Sequence, residues 1–476
     1  MSDFPGVQSN VKTRFSSRSM GVKLIVVCGL ALLMTIPALF VVGLVGERTQ
    51  RAKEVTDEIS GLVGGQQTFL GPTLVIPYRV PLQTVGSATV VNNIPEHGVY
   101  IVFPAQAEAT VKSHTEERHR SLFKVPVFQA ELSLNATFDL AGVPSAAPAN
   151  AVLDWSRAEI VVGVSDARGA LADATLSVNG KAATLVPAEN VEDISVGDYP
   201  SQRNMLTFFG VNAAEAALPN AQFKVSSALR FSGAQRIAVL PYGKPTHLTM
   251  VGDWPNPSFD GGFLPVNRTV SKQGFSGEWS VPFIARGVRA EGRSNTIAGL
   301  NAKALGVSFV ELTDPYQSVN RSLKYVLLFL GLLFLSYFVF EVTTGKRVHP
   351  AQYILVGMAQ IIFYLLLLSF AERIGFDWGF LVAGAATVIL LSANAGWIFS
   401  SRLQGFRALL CFSLLYALIY LLLSLEDNAL LVGAVASFLA VAAAMYFTRK
   451  IDWYSSLLPA NPEAQGTGSL GPKKME

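Results

Sequence analysis

Cysteine is nearly absent from this chain, and its two cysteines, Cys28 and Cys411, both lie within long apolar stretches. Residues 46–322, which separate the first apolar stretch from the next, contain no cysteine. That segment therefore cannot be one of the small secreted domains that depend on disulfides for their stability. It is long enough to fold by hydrophobic burial alone.

Charged residues are also scarce, at 15% of the chain against about 25% in an average soluble domain. Half of all residues are hydrophobic. The apolar residues concentrate in six segments, each close to the roughly 20 residues that a helix needs to cross a bilayer. These segments are residues 24–45, 323–340, 353–370, 378–399, 408–425 and 429–447. The composition excludes a soluble protein and predicts a multi-pass membrane protein, with the bilayer as its first partner.

The first apolar segment follows several basic residues, as the core of a cleaved signal peptide would. It is, however, longer than the 7–15 residues usual for such a core, and it runs into Gly46-Glu47-Arg48 without a small-x-small cleavage site. We therefore expect an uncleaved first transmembrane helix. Pro37 lies within it and should kink the helix, because proline has no N–H to donate.

The distribution of Lys and Arg in the short loops predicts the orientation, since cytoplasmic loops carry the excess of positive charge. The opposite loops are mainly acidic, with Arg373 as their one basic residue. This pattern places the tails, residues 1–23 and 448–476, in the cytoplasm and residues 46–322 outside it. The basic residues on the inner side are Lys12, Arg14, Arg18, Lys23, Lys346, Arg347, Arg402, Arg407, Arg449 and Lys450.

The outer segment, residues 46–322, changes its pattern along its length. Over residues 47–63, charges alternate with Val55, Ile59 and Leu62 at helical spacing, which predicts a juxtamembrane helix. After Gly71-Pro72 come short runs rich in β-branched and aromatic residues, as expected for strands. The predicted strands are residues 73–80, 99–103, 123–138, 159–164, 222–231, 236–240, 247–251 and 279–284. The predicted fold is thus α+β: a mainly antiparallel, sandwich-like β domain inserted between the first and second of six transmembrane helices, with the other five in residues 323–447.

Motifs that carry enzyme chemistry are missing. The chain has no G-x-S-x-G, Walker loop, G-x-G-x-x-G after a strand, C-x-x-C or H-E-x-x-H. His114 and His119 lie in a charged run whose side chains do not converge by spacing, so we interpret it as a solvated hairpin loop rather than a metal site. No cofactor, metal or nucleic-acid partner is predicted.

Two groups of residues remain as candidates for function. Trp254, Phe259 and Phe263 lie among three prolines and a Gly pair, where aromatic rings either form a binding platform for carbohydrate or peptide or plug the end of a β-sandwich. Carboxylates at the ends of apolar segments would mark a transport path if they faced one another. Because they lie at span ends, where water is reachable, interfacial solvation explains them without any transport role. These carboxylates are Glu341, Glu372, Glu426 and Asp427.

Several motifs together resemble one known family. In the membrane region they are Tyr316-Gln317, Arg321 to Tyr325, Phe340-Glu341, Val348-His349-Pro350 to Gly357, Phe363 to Ser369, Glu426-Asp427 to Leu431 and Thr448 to Tyr454. Upstream they are Gln67 to Gly71-Pro72 and Ile76-Pro77-Tyr78, Asp166-Ala-Arg168-Gly169, Trp254 to Pro265, Gly274-Phe275 and Trp279. The chain is similar over nearly its whole length to the CreD family of bacterial inner-membrane proteins. It departs from the family pattern at Arg120-Ser121-Leu122-Phe123, where Arg-Gly-Ile-Tyr is expected, and at Asn428, where an aromatic residue is usual.

This resemblance implies an inner-membrane protein of Gram-negative bacteria, associated with envelope integrity and envelope stress, with the outer domain in the periplasm. It implies no catalytic activity. The family motifs at the span boundaries have physical explanations, since His-Pro can begin a helix and a carboxylate pair suits a helix N-terminus. We expect a structural role at the membrane boundary for Glu341, His349, Pro350, Glu426, Asp427, Asp452 and Trp453.

Three hypotheses of function follow. The outer domain could bind an envelope protein, peptidoglycan or another envelope component while the helices anchor it; this is the one we favour. Alternatively, the chain could be an enzyme acting on peptidoglycan or lipid precursors, which would need converging carboxylates or a nucleophile. As a transporter it would need a polar path through the helices. The sequence leaves the ligand and the oligomeric state open.

Overall fold

The computed structural model describes residues 20–80, 96–120, 123–147, 151–191, 194, 206–297, 299–310, 315–424 and 429–449. The chain forms two compact units. The membrane unit comprises Met1–Gln50 and Thr313–Glu476, and the β unit comprises Arg51–Leu312. Four residues predicted to act at the membrane boundary lie outside the described residues: Glu426, Asp427, Asp452 and Trp453.

Ten helices occur in the described residues. They are α1 Met20–Leu33, α2 Thr35–Leu62, α3 Val143–Ala146, α4 Phe283–Arg286, α5 Pro315–Lys324, α6 Val326–Thr344, α7 Pro350–Ile374, α8 Phe376–Ile398, α9 Arg402–Ser424 and α10 Ala429–Thr448.

Five helical segments of the described chain are long and apolar enough to cross a membrane: Gly21–Leu62, Val326–Thr344, Pro350–Ile374, Phe376–Ile398 and Arg402–Leu423. The sixth predicted span coincides with α10, in which a shorter apolar stretch, Leu431–Ala443, is found. Six spans therefore stay a prediction, whereas a helical membrane region with at least five candidate spans is present. Hydropathy locates these helices because every backbone polar group in lipid must be paired within the segment.

The first span is interrupted at Met34, between α1 and α2. Pro37 follows three residues later and cannot donate to the carbonyl of Leu33, which lies four residues before it. One residue earlier, the carbonyl of Leu32 accepts a hydrogen bond from the hydroxyl of Thr35 at 2.6 Å. The interruption is where the sequence places a proline kink. Beyond it α2 continues to Leu62, through the segment predicted as a juxtamembrane helix.

The β unit contains two sheets built from strands of very different length. The strands are β1 Gln67–Val80, β2 Glu96–Val102, β3 Gln106–Arg120, β4 Phe123–Asp139, β5 Val152–Leu153, β6 Glu159–Val164, β7 Thr175–Val178, β8 Lys181–Thr184, β9 Val186–Pro187, β10 Thr207–Asn212, β11 Gln222–Ala234, β12 Arg236–Leu240, β13 Thr246–Gly252, β14 Pro257–Gly261, β15 Asn267–Ser271, β16 Gly274–Val281, β17 Glu291–Arg293 and β18 Leu305–Phe309.

The first sheet follows the order β14-β18-β12-β1-β6-β10-β9, with β2 and β5 also paired to β1 and β17 paired to β2. The second sheet follows the order β15-β16-β13-β3-β4-β11-β7-β8. Among the described pairings only β1 with β12 and β3 with β13 are parallel. A β domain with two mainly antiparallel sheets is therefore present, as the sequence predicts.

Both sheets contribute to one hydrophobic core. Along β4 and β11, buried residues such as Leu132, Leu134 and Leu229 alternate with exposed ones, because one face of this sheet is solvated. By contrast, β6 is buried at every position. At the helical start of the β unit, Ile59 and Val63 pack against a smaller cluster of Val125, Val127 and Ala234.

Three local predictions in the β unit are wrong. The strand predicted over residues 279–284 ends at Val281, and Phe283 and Ile284 belong to α4. The charged run around His114 and His119 belongs to β3 and pairs with β4, rather than forming a hairpin loop. Gly71-Pro72, taken as a boundary before the first strand, lies inside β1. The pairing of β1 with β6 shifts register between Leu70 and Thr73, and such an irregularity accommodates a proline in a strand.

Candidate functional site

A buried ion pair joins three helices at one end of the membrane unit. Glu341, near the end of α6, is only 1% exposed. Its carboxylate accepts hydrogen bonds from the ammonium of Lys23 on α1, from the backbone N–H of Val348 at 3.1 Å and from the hydroxyl of Tyr353 on α7 at 3.1 Å. Lys23 also donates to the carbonyl of Val348 at 2.7 Å. We call these four residues the Glu341 cluster.

The Glu341 cluster supplies the counter-charge and the hydrogen bonds for a carboxylate whose burial would otherwise cost much free energy. Removing an ion from water costs several kcal/mol unless an opposite charge and further hydrogen bonds compensate for it. Each carboxylate oxygen of Glu341 has a protein donor. The expectation that interfacial water solvates Glu341 is therefore wrong, since protein groups surround it instead. The arrangement connects α1, α6 and α7.

His349 and Pro350 form the start of α7. Pro350 is the first residue of the helix, where its missing N–H leaves no hydrogen bond unmade. His349 is the N-cap, and its Nδ1 accepts a hydrogen bond from the N–H of Ala351 at 3.2 Å. Since Val348 belongs to the Glu341 cluster, this cap lies directly beside the buried ion pair. The predicted boundary residues Glu341, His349 and Pro350 are thus brought together by the α6–α7 connection.

A second polar contact lies at the far end of α7. The hydroxyl of Tyr316 on α5 donates to Glu372 at 3.1 Å, and Nε of Arg48 on α2 lies 4.0 Å from the same carboxylate. The first span therefore carries an ion-paired basic residue at each end, Lys23 and Arg48. Their separation of 25 positions corresponds to about 38 Å of helix, close to the full thickness of a bilayer.

Deep in the membrane unit, the polar contacts are between uncharged groups. The hydroxyl of Tyr416 on α9 donates to Oε1 of Gln360 on α7 at 2.7 Å, and both side chains are buried. Tyr337 on α6 donates to the carbonyl of Leu391 at 2.9 Å. Tyrosine in a membrane helix is usual at the membrane–water interface. A tyrosine far from the ends of a span is therefore the sequence signal that could have indicated these contacts.

In the β unit, the predicted aromatic platform is largely internal. Trp254 is buried, donates its indole N–H to the carbonyl of Val310 at 3.2 Å and meets the edge of Phe309. Phe259 on β14 is half-buried between Phe275 and Trp279, with ring centroids 6.0 and 5.9 Å away.

Phe263 is half-buried as well. Its carbonyl accepts a hydrogen bond from the indole of Trp279 at 3.0 Å, and the ammonium of Lys303 lies 5.9 Å from its ring centroid. Phe259 and Phe263 pack against the main core, and Trp254 is part of it. Of the three aromatic side chains, Trp254 is therefore buried, whereas Phe259 and Phe263 keep part of their surface exposed.

Three aliphatic side chains close in sequence to these aromatics are exposed. Leu264 and Val266 are 65% and 70% exposed, and every residue of β15 is exposed, including Val270. β15 ends the order of the described strands in its sheet. We call Leu264, Val266 and β15 the β15 edge. The aromatic motif of the sequence ends at Pro265, so it did not predict this edge, although the Leu-Pro-Val run and the valine within a polar strand are signals for it.

Arg286 is a buried cation that sequence analysis also missed. It lies on α4, is fully buried, and donates to the carbonyls of Gly243 at 2.7 Å, Val288 at 3.3 Å and Arg289 at 2.7 Å. Its guanidinium carbon lies 4.2 Å from the ring centroid of Phe103. Burial disfavours the charge and lowers the pKa of Arg286 to about 10. These hydrogen bonds connect the backbone at Gly243 with that at Val288 and Arg289. Nothing in the local sequence distinguishes this arginine from the exposed ones.

The polar run of β3 is exposed. His114 pairs with Asp253 and lies 3.6 Å from Glu116, and His119 lies 3.8 Å from Glu117. Within the described part of the chain, no group of three or more His, Cys, Asp or Glu side chains is arranged to hold a metal ion.

Comparison with known proteins gives two matches of nearly full length. A family model described as "Inner membrane protein CreD" matches residues 19–454. The inner membrane protein CreD of Escherichia coli (strain K12) is 30% identical over 432 residues, which cover 90% of this chain and 93% of that protein.

Proposed function

The chain belongs to the CreD family of multi-pass inner membrane proteins, and from this premise we propose that it supports the integrity of the cell envelope as a binding protein rather than as an enzyme. In this proposal the β unit lies in the periplasm, both termini are cytoplasmic, and the β unit binds an envelope protein or another envelope component. The excess of Lys and Arg in the loops on one side supports this orientation.

The β15 edge is the observation that carries the binding proposal. Exposed apolar side chains that adjoin one another mark interaction sites more often than isolated ones do. Here Leu264, Val266 and Val270 are each more than half exposed. A strand at a sheet edge also presents backbone N–H and C=O groups that an extended peptide can pair with. β15 pairs with β16 along its whole length, and the half-buried ring of Phe259 packs against Phe275 and Trp279 of β16.

Ion pairs and burial account for three carboxylates of the β unit, Asp166, Asp260 and Glu159, without a catalytic role. Asp166 is held by Arg168, and this guanidinium lowers the pKa of Asp166. Asp260 on β14 is paired with Arg236 on β12 at 2.8 Å. Burial raises the pKa of Glu159, whose carboxylate accepts from the amide of Asn190 at 3.1 Å. An enzyme acting on peptidoglycan or lipid precursors would need two such groups facing one open cleft.

The transporter alternative would need charged groups along a path through the helices. In the described membrane unit, the carboxylates of Glu341 and Glu372 are both bonded to side chains of neighbouring helices near helix ends. These contacts favour a membrane unit that anchors the protein over one that transports a substrate.

Site-specific photo-crosslinking in native membranes tests the binding proposal. A photoreactive residue at Val270 should give a defined product, whereas the same residue at Thr184 should not. Thr184 is a matched control because it is exposed on β8, at the other end of the same sheet. In cells lacking the native protein, Val270→Asp should fail to restore resistance to envelope-damaging detergent, and Thr184→Asp should restore it.

Two outcomes would contradict the proposal. One is equal crosslinking at Val270 and Thr184, which would indicate random encounters. The other is full restoration of detergent resistance by Val270→Asp in protein that is inserted in normal amount.

A further inference from the structure

An open groove of about 670 Å³ lies between α8 and α9 in the membrane unit. Two glycines create it. A Cβ atom added to Gly405 would lie 3.3 Å from Cα of Gly396, so the two helices approach almost to backbone contact. Because neither glycine has a side chain to fill the space beside the crossing, a furrow remains along the outer face of the helix pair. Its volume is within the roughly 300–1,000 Å³ of typical ligand sites.

The length of the groove approaches that of one leaflet of a bilayer. On α8 it extends from Ile389 to Trp397, which at a rise of about 1.5 Å per residue is roughly 12 Å. One leaflet contributes about half of the roughly 30 Å hydrocarbon core. Along this length the walls are apolar, with Ile389 and Ala393 on α8 and Phe406 and Leu409 on α9. Such a furrow suits a single acyl chain.

Positive charge lies at one end of the groove only. Arg402 is the first residue of α9, lines the groove and has an exposed side chain without an ion pair or hydrogen bond to any other described residue. The N–H groups of the first turn of α9 add a partial positive charge at the same place. Trp397 lines this end and is 74% exposed, as tryptophan commonly is at the level of lipid headgroups.

The turn between the two helices keeps this end open. Ser400 has a positive φ of 49°, which lets α8 turn into α9 within three residues. Lys346 donates to the carbonyl of Phe399 at 2.6 Å and so occupies the C-terminal end of α8. Arg402 lines the groove with its guanidinium, which can bind a phosphate through two parallel N–H groups.

We propose that this groove binds an anionic phospholipid, with one acyl chain along α8 and α9 and the phosphate on Arg402. The apolar walls favour a lipid over free inorganic phosphate, which would gain nothing from them. The guanidinium favours an anionic headgroup over a zwitterionic one, whose ammonium it would repel. The lipid would fill the furrow that the two glycines leave, and so complete the surface of the helix pair.

Native mass spectrometry of the full-length protein in detergent tests this proposal. Phosphatidylglycerol and phosphatidylethanolamine with identical acyl chains would be titrated separately, and the wild-type protein should retain phosphatidylglycerol preferentially. Arg402→Gln should weaken phosphatidylglycerol binding about fivefold, the value of one basic residue near an anionic surface. Arg407→Gln is the matched control, because Arg407 is an exposed arginine on the same helix that does not line the groove. It should leave binding unchanged.

Two further variants separate the role of the charge from the role of the groove. Arg402→Lys keeps the positive charge and should keep the preference for phosphatidylglycerol. If Arg402→Gln lowers the melting temperature, Arg402→Lys provides the test of charge in a variant with less change to the side chain. Ala393→Phe should fill the groove and weaken binding of both lipids. The proposal is overturned if Arg402→Gln and Arg407→Gln behave alike, if wild type binds both lipids equally, or if inorganic phosphate displaces phosphatidylglycerol.

Discussion

Replacing Lys23 with Met should destabilise the membrane unit more than replacing its partner Glu341 with Gln. In the wild-type protein the two side chains form an ion pair in which Glu341 is 1% exposed and Lys23 is 19% exposed. Lys23→Met leaves a carboxylate buried without its counter-charge. Glu341→Gln leaves an ammonium that can still bond the carbonyl of Val348 and can extend along its alkyl chain towards water.

The magnitudes follow from this difference. Removing one member of a buried ion pair costs about 3–5 kcal/mol. Glu341 would keep two donors, the N–H of Val348 and the hydroxyl of Tyr353, so we expect Lys23→Met to cost about 3 kcal/mol, the lower end of that range. Glu341→Gln should cost about 1 kcal/mol, because the amide can replace part of the hydrogen bonding and the remaining charge is partly solvated. The double variant has no unpaired charge and should be more stable than Lys23→Met alone.

Steric trapping in lipid bicelles measures the free energy of unfolding of a helical membrane protein without extrapolation from denaturant, and is the assay of choice. Lys324→Met is the control, since Lys324 is exposed in the same unit and an exposed substitution should change stability by no more than about 0.5 kcal/mol. Equal losses for Lys23→Met and Lys324→Met would refute the reasoning. A double variant less stable than Lys23→Met would show that packing, and not charge, holds α1 to the bundle.

Three further results are expected. Arg286→Met should lower the stability of the β unit by about 3 kcal/mol, because it leaves buried carbonyls without donors; near-ultraviolet circular dichroism on heating would show this, with the exposed Arg268→Met nearly neutral. His349→Ala should cost about 1 kcal/mol through loss of the N-cap, and His349→Asn should restore it; trapping measurements that find the two variants alike would contradict this. Burial raises the pKa of Glu159, so its contribution to stability is greatest below the unfolded value of about 4.3 and declines as pH rises through the folded value. Glu159→Gln should remove that decline in melting temperature between pH 4 and pH 7.

The membrane helices and the β domain could be predicted from sequence because each has a strong local signal. Apolar length identifies the spans, and alternation identifies strands such as β4 and β11, which bury one face. The polar end of β3 lacks that signal, since its residues from Glu116 to Arg120 are all exposed and none marks a buried face. Gly71-Pro72 was misleading because a proline normally ends a strand, and the register shift that tolerates it depends on the neighbouring strand.

The contacts at the candidate sites were less predictable. Lys23 and Glu341 are 318 positions apart, and no local pattern connects them. His349 and Pro350, by contrast, act on the residues that follow them, so their role in starting α7 could be inferred from the sequence. The aromatic residues Trp254, Phe259 and Phe263 showed that a packed region was present. They did not show that the exposed apolar surface would begin just after them, at Leu264.

The long sequence separation within the Glu341 cluster also determines when it can form during synthesis. At about 5–20 residues per second, a ribosome needs roughly 16–64 s to progress from Lys23 to Glu341. During this time the first helix is already made, yet the counter-charge of Lys23 does not exist. The whole β unit, which ends at Leu312, is translated before α6. The β unit can therefore begin to fold first, and the ion pair that fixes the first helix in the bundle forms only after that whole domain has been translated.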